Sequence, residues 1–95
     1  MKFEWDPKKA ALNLKSHGVS FEDASAVFGD PLAGTIPDPT HSTDEARFVT
    51  IGVTPEQHLI VVVHMDRDGR IRIISARPAT RAEKKKHEEG QGRSR

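Results

Sequence analysis

The chain has 95 residues, no cysteine, and a formal net charge of +1 with 31% of its residues charged. These values exclude a disulfide framework and a thiolate metal site, and the length allows only one hydrophobic core. No apolar run approaches the roughly 18 residues needed to cross a bilayer, and the N-terminus has no apolar signal region. We therefore expect one soluble, cytoplasmic domain over residues 1–89 and a disordered tail over residues 90–95.

The N-terminal segment predicts a short extended stretch followed by a helix. Lys2–Trp5 alternates charged and apolar residues, as an edge strand or an arm lying on the core does. Asp6 and Pro7 favour a helix start, because Asp accepts hydrogen bonds from free backbone N–H groups and Pro fits the first helical position. Gly18 should end this helix. Its solvated side contains three lysines, and its apolar residues are Ala10, Ala11, Leu12 and Leu14.

A second helix is predicted from Ser20 onward. Ser20–Asp23 resembles a capping box with Asp in its last position. The apolar residues that recur at helical spacing, and so predict a buried stripe, are Phe21, Ala24, Val27 and Phe28. Beyond Pro31, the segment Leu32–Ile36 suggests a weak strand, and Pro37–Thr43 has the composition of an exposed loop.

The second half of the chain predicts a β-hairpin. Two apolar runs, Leu59–Met65 and Ile71–Ala76, are joined by the polar turn Asp66–Gly69. The first run is almost entirely aliphatic, so it should lie in the middle of a sheet. Another strand is expected at Phe48–Val53. The predicted class is therefore α+β, with an antiparallel sheet of about four strands, two N-terminal helices and a short C-terminal helix.

The C-terminal helix should run from Arg81 to about Glu89, with Thr80 as its N-cap. Thr80–Glu83 forms a capping box, but the helix has almost no apolar stripe and is expected to be solvated.

The second hairpin arm raises a question about Arg77. Arg70 and Arg72 alternate with isoleucines, but strict alternation would put Arg77 on the isoleucine side. A bulge or the end of the strand must therefore let Arg77 reach solvent or a carboxylate such as Glu45 or Glu83.

Several arginines lie on or just beyond neighbouring predicted strands, so they could converge on one sheet face. Guanidinium groups suit bidentate contact with phosphate. The alternatives are a solvated face whose arginine stems cover apolar surface and, for Arg77, a structural ion pair. These arginines are Arg47, Arg70, Arg72, Arg77 and Arg81.

Two histidines are candidates for proton transfer. His64 is in phase with Ile60 and Val62, so it is either a half-buried core residue or a group that titrates near neutral pH. His87 lies among lysines on the last helix and is either a neutral base at a phosphate site or part of a solvated face. The five histidines have no metal-ligand spacing, and no Gly-rich phosphate loop is present, so we expect no metal or other cofactor.

Four uncommon strings occur in the order EWDP, KSHGVSFEDA, FGDP and RIISAR between Phe3 and Glu89. With these strings the chain resembles the BrnT toxins, the partners of BrnA antitoxins in bacterial type II toxin–antitoxin modules. The resemblance implies a compact α+β fold similar to RelE-type toxins and an endoribonuclease activity that arrests translation. It also implies a BrnA-like antitoxin with its own DNA-binding domain, so that DNA is contacted only through a hetero-oligomeric complex. The chain departs from the usual family pattern where His87 replaces a tyrosine and Pro78 replaces a lysine.

Residues and resemblance together suggest that the RNA 2′-hydroxyl attacks the adjacent phosphate without a metal. Candidate bases for this step are His64, His87 and Glu45, and the candidates for stabilising the phosphate charge are Arg47, Arg72 and Arg77. The residues expected to bind RNA are Arg70, Arg81, Lys84, Lys85 and Lys86. The alternative function is that of a non-catalytic or degenerate toxin that binds protein or nucleic acid.

Overall fold

The computed structural model describes residues 1–38 and 46–90. Its elements, in chain order, are β1 (Lys2–Glu4), α1 (Pro7–His17), α2 (Phe21–Ala26), a 3-10 helix (Val27–Gly29), β2 (Gly34–Pro37), β3 (Arg47–Val53), β4 (Leu59–Arg67), β5 (Arg70–Pro78) and α3 (Arg81–Gly90). The α+β class, the two N-terminal helices and the short C-terminal helix are confirmed. Most of the predicted loop after Pro37 and residues 91–95 of the predicted tail lie outside the described residues.

The five strands form one mixed sheet in the order β1-β5-β4-β3-β2. All neighbouring strands are antiparallel except β1, which pairs in parallel with β5. The prediction of about four antiparallel strands is therefore wrong in both number and orientation. A three-residue segment carries too little pattern to identify its partner strand. Phe3 pairs with Ile71 in the register and contacts Phe28 at a ring distance of 5.3 Å, so the core fixes β1 at the sheet edge.

The predicted hairpin is confirmed, with longer arms and a tighter turn. Asp68 and Gly69 both have positive φ, 51° and 77°, which matches the two-residue turns whose twist suits a hairpin. The register shifts between Val63 and His64, and Ile74 on the facing strand has no partner residue. This bulge places Arg77 opposite Val61, so the predicted departure from strict alternation is confirmed.

The hydrophobic core lies between one face of the sheet and the first two helices. Val19, Phe21, Ala24 and Val27 from the helical side pack against Ile60, Val62, Ile73 and Ala76 from the sheet. The predicted stripe of the second helix is thus confirmed, although α2 ends at Ala26 and continues as the 3-10 helix. Within the described ranges 1–38 and 46–90, no helix is long and apolar enough to span a membrane.

The first helix uses a polar residue to reach the core. Leu12 and Leu14 are 64% and 51% exposed, whereas Asn13 is 7% exposed, so the prediction is wrong for the two leucines, although Ala10 packs against the core. The Asn13 Nδ2 group donates to the carbonyl oxygens of Val19 and Ala76 at 3.0 and 2.8 Å, and its Oδ1 accepts from the Ala76 N–H at 3.1 Å. Since β1 pairs only with the first residues of β5, Asn13 supplies the hydrogen bonds that a longer neighbouring strand would have made.

Candidate nucleic-acid interface

The sheet register places arginines from three neighbouring strands on one face. Arg47 lies opposite Met65, which lies opposite Arg72, and Arg77 lies opposite Val61 on the same side. Ile60 and Val62, which alternate with Val61, point to the helical core on the other side. We call the side away from that core the arginine face; its arginines are Arg47, Arg67, Arg70, Arg72 and Arg77.

The arginine face is large enough to contact more than one phosphate. Two strand spacings separate the backbones of Arg47 and Arg72 by about 10 Å, and Arg77 lies about 15 Å along β5 from Arg72. The side chains of Arg70, Arg72 and Arg77 are 52%, 30% and 42% exposed. Three guanidinium groups are therefore partly accessible at one surface, which is the convergence suggested by the sequence.

Arg77 forms a bidentate ion pair with Glu83 at the start of α3. Its two terminal nitrogens donate to the two carboxylate oxygens at 2.8 and 2.9 Å. Glu83 also accepts from the Thr80 N–H at 2.8 Å, and the Thr80 hydroxyl accepts from the Glu83 N–H at 3.1 Å, which completes the predicted capping box. The Arg77 hydrogen bond, followed by the Thr80 backbone, lowers the pKa of Glu83 to about 2, and the same pair raises the pKa of Arg77.

A second carboxylate, Glu4, reaches the arginine face from β1. One oxygen lies 3.1 Å from a terminal nitrogen of Arg72, and the other lies 3.6 Å from Arg70. Sequence reasoning missed this contact because β1 and β5 are far apart in the chain. The only local signal was the alternation around Glu4, which places it on the polar side of an edge strand.

His64 lies on the other face of the sheet, in the core. It is 4% exposed and its ring contacts Phe28 and Phe48 at centroid distances of 4.9 and 5.9 Å. Its Nε2 is 2.7 Å from the Thr50 hydroxyl, which is 2.7 Å from the Thr35 hydroxyl. Burial lowers the pKa of His64, although Asp66 partly offsets the effect. The structure therefore separates this candidate base from the arginine face.

The remaining candidate residues lie on or near α3, except for one. His87 and Lys84 line a broad concavity at the sheet end, shared with the junction of α1 and α2 and with the turn between β3 and β4. The exposed positively charged residues elsewhere on α3 are Arg81, Lys85 and Lys86. Glu45 lies outside the described residues. In the part of the chain that the structure describes, no cluster of three or more His, Asp or Glu side chains is placed to hold a metal ion.

Comparisons with known proteins agree with this architecture. A family model described as the ribonuclease toxin BrnT of a type II toxin–antitoxin system matches residues 5–83. The crystal structure of the Brucella abortus ribonuclease toxin BrnT, determined at 1.1 Å resolution, is similar with a TM-score of 0.67 and 26% identity. That match covers 85% of this chain and 99% of the Brucella chain. A search of curated protein sequences found no match.

The fold, with its basic sheet face, and the family match define the class of protein as a ribonuclease toxin of a type II toxin–antitoxin module. Because the family model covers most of the chain, the chain belongs to the BrnT family. A toxin of this type has an antitoxin as its partner.

Proposed function

We propose that this protein cleaves RNA on its arginine face without a metal ion, using the 2′-hydroxyl of the substrate as the nucleophile. The observation that carries the proposal is the gathering of Arg47, Arg72 and Arg77 on one side of the sheet. Attack by the 2′-hydroxyl on the adjacent phosphorus breaks the bond to the 5′ oxygen, which leaves with a proton. The products are a 2′,3′-cyclic phosphate and a 5′-hydroxyl end.

The arginines contribute charge stabilisation. Negative charge grows on the phosphate oxygens as the nucleophile attacks, and fixed donors aimed at those oxygens lower the barrier. Losing one such donor typically reduces the rate on the order of 10²–10³-fold. Arg70 on the arginine face and the basic residues of α3 are proposed to hold the RNA backbone. The residues of α3 assigned to this role are Arg81, Lys84, Lys85 and Lys86.

The proton of the 2′-hydroxyl must pass to a base. His64 is separated from the arginine face by the sheet, so we propose that it supports the core rather than touching the RNA. His87 on α3 and Glu45, which precedes β3 closely in the chain, are the bases proposed for the reaction. Replacing each in turn should identify the base, because its loss should lower kcat and remove the rise of kcat with pH on the acidic side of the profile, while RNA binding stays intact.

The chemistry is tested with a ribo-oligonucleotide incubated with the protein in EDTA, followed by mass spectrometry of the product ends. We expect 2′,3′-cyclic phosphate or 3′-phosphate ends, and no cleavage of the same sequence with 2′-O-methyl groups or as DNA. A requirement for a divalent ion, or equal cleavage of DNA, would refute the mechanism.

We further propose that the protein acts in the bacterial cytoplasm, where cleavage of RNA arrests translation, and that a BrnA-like antitoxin neutralises it. On this view the fold is related to that of the RelE-type toxins, and DNA is contacted only through the antitoxin complex. Induction of the protein should stop growth, and co-expression of the antitoxin should restore it. Continued growth on induction of a folded, soluble protein would contradict this proposal.

One observation favours a second candidate function, that of a non-catalytic toxin that binds a partner. Arg72 and Arg77 are both engaged by carboxylates, Glu4 and Glu83, so the face also suits an acidic protein segment. A binding module would form its complex normally and leave RNA intact at high protein concentration, which the cleavage assay detects directly.

A further inference from the structure

We propose that Glu83 is a positioning residue for Arg77: it holds one edge of the guanidinium group so that the other edge faces a phosphate on the arginine face. This inference rests on the proposed function, because it assigns Arg77 to the RNA phosphate. It concerns the geometry of the pair and not the identity of the base.

Two N–H donors of Arg77 remain for a phosphate. A guanidinium group has five N–H donors in one plane. Glu83 accepts one from each terminal nitrogen of Arg77, and the Pro78 carbonyl accepts a further one from Nη1 at 3.3 Å. The Nε–H and the second hydrogen of Nη2 are left, and they have no acceptor among the described residues. These two hydrogens are parallel and form the second fork of the group, which matches two oxygens of a phosphate.

The Glu83 carboxylate is itself held in place. Its carboxylate accepts the Thr80 N–H at 2.8 Å in addition to the two arginine donors. The capping box therefore ties the carboxylate to the first turn of α3, and the carboxylate ties Arg77 to that turn. A long side chain that would otherwise sample many rotamers is thereby held in one orientation.

The pairing of Arg72 differs from that of Arg77. Glu4 touches Arg72 through a single nitrogen at 3.1 Å, so the guanidinium plane is not fixed by two parallel hydrogen bonds. Arg77, by comparison, pairs with Glu83 through two nitrogens. It is also the one brought to the face by the bulge in β5. Orientation is therefore a specific property of Arg77, and a positioned donor is worth more to a reaction than a mobile one.

The test replaces Glu83 by Gln. Glu83→Gln keeps the size of the side chain and keeps an oxygen for the Thr80 N–H, but it removes the charge and one acceptor for Arg77. The matched control is Glu89→Gln, which makes the same charge change at an exposed position of the same helix. Glu22→Gln is a second control that makes the same charge change in the first turn of another helix, α2.

Two measurements are made on each variant. The first is the kcat and KM for a ribo-oligonucleotide, where Glu83→Gln should lower kcat on the order of 10- to 100-fold with little change in KM, because a mispositioned donor mainly affects the reacting state. The second is the ¹H–¹⁵N NMR signal of the Arg77 Nε–H, assigned with Arg77→Lys. This signal should be sharp in the wild-type protein and shift when a 2′-O-methyl oligonucleotide is added. In Glu83→Gln it should broaden and shift less.

Both controls should behave like the wild-type protein in both measurements. Equal or faster cleavage by Glu83→Gln, or an increase in KM alone, would overturn the inference, since Glu83 would then compete with phosphate or merely alter binding. If the wild-type protein leaves RNA intact, the proposed function fails. The Nε–H signal still decides the inference in that case: the same shift in wild type and Glu83→Gln overturns it, and a loss confined to Glu83→Gln supports it.

Discussion

Asn13 occupies a place in α1 where an amphipathic helix would normally bury an apolar residue. Its carboxamide satisfies both backbone groups of Ala76 and the carbonyl of Val19. The partners lie up to 63 positions away in the chain, so no local pattern marks Asn13 as buried. Sequence periodicity favoured the neighbouring Leu12 as a core residue, because periodicity reports only hydrophobicity. It does not report that the edge of β5 needs hydrogen-bond partners, which Asn13 provides.

Replacing Asn13 by Ala should destabilise the protein by about 2–4 kcal/mol, because buried backbone groups lose their partners and each costs about 1–3 kcal/mol. This is a large part of the roughly 5–14 kcal/mol expected for a domain of this size. Urea unfolding followed by circular dichroism measures the change. The control Leu12→Ala, at a 64% exposed position, should change stability by less than about 0.5 kcal/mol. Equal effects of the two substitutions would contradict this role for Asn13.

His64 should make stability depend on pH. Burial lowers the pKa of its folded-state imidazole below 6.5, so the unfolded chain binds more protons once the pH falls below about 6.5. Stability due to the neutral ring is present in full above that pH and is lost as the pH falls toward the folded-state pKa. The slope is at most about 1.4 kcal/mol per pH unit. The Nδ1 atom has no hydrogen-bond partner in the described residues, so a proton added there would be unpaired.

The measurement is urea unfolding at pH 7.5 and pH 5.5. The wild-type midpoint should fall at the lower pH, and His64→Gln should have a smaller decrease, because other titrating groups act equally in both proteins. An identical decrease in the two proteins would show that His64 does not titrate in this range.

At the scale of elements, the segments with local signals were predicted well. The hairpin, the Thr80–Glu83 capping box, the Ser20 N-cap and the stripe of α2 depend on residues close in sequence, and each is present in the structure. The alternation of side chains along β4 also predicted that His64 lies on the same side as Ile60 and Val62, which is the side of the core. The pairing of β1 with β5 was not predictable, since residues such as Glu4 and Arg72 are 68 positions apart. Alternation of side chains along β5 predicts that Arg70 and Arg72 share a face. Arg77 lies on that same face only because of the bulge in β5.

The contact between β3 and the 3-10 helix depends on Gly52. A Cβ atom on Gly52 would lie 2.7 Å from Val27 Cγ1 and 2.9 Å from Ala33 Cβ, both closer than real atoms approach. Gly52→Ala should therefore destabilise the protein by about 1–3 kcal/mol through overpacking. The matched control is Gly34→Ala in β2, where no atom lies within 4 Å of the new Cβ, and its effect should stay within about 0.5 kcal/mol. Thermal or urea unfolding of both variants checks this, and similar losses would count against close packing at Gly52.

At the scale of the whole molecule, the two faces of the sheet differ in composition: one is apolar and the other is rich in arginine. One face carries the core with α1 and α2, and the other carries the arginines, with Glu4 and Glu83 at their sides. A domain this small buries little apolar surface, so its free energy of unfolding is small. Repulsion between several like charges on one face must therefore be offset by carboxylates or by a bound anion. The proposed activity uses that surface, and the Arg77–Glu83 ion pair links it to the first turn of α3.

The location of the RNA site is tested most directly by removing one positive charge at a time. Arg72→Gln removes a charge from the arginine face, and Lys9→Gln removes the same charge from the exposed side of α1. For folded variants, kcat/KM for a ribo-oligonucleotide in EDTA should fall on the order of 10²–10³-fold in Arg72→Gln and less than about threefold in Lys9→Gln. Equal losses in the two variants, or full activity of Arg72→Gln, would contradict the assignment of catalysis to this face.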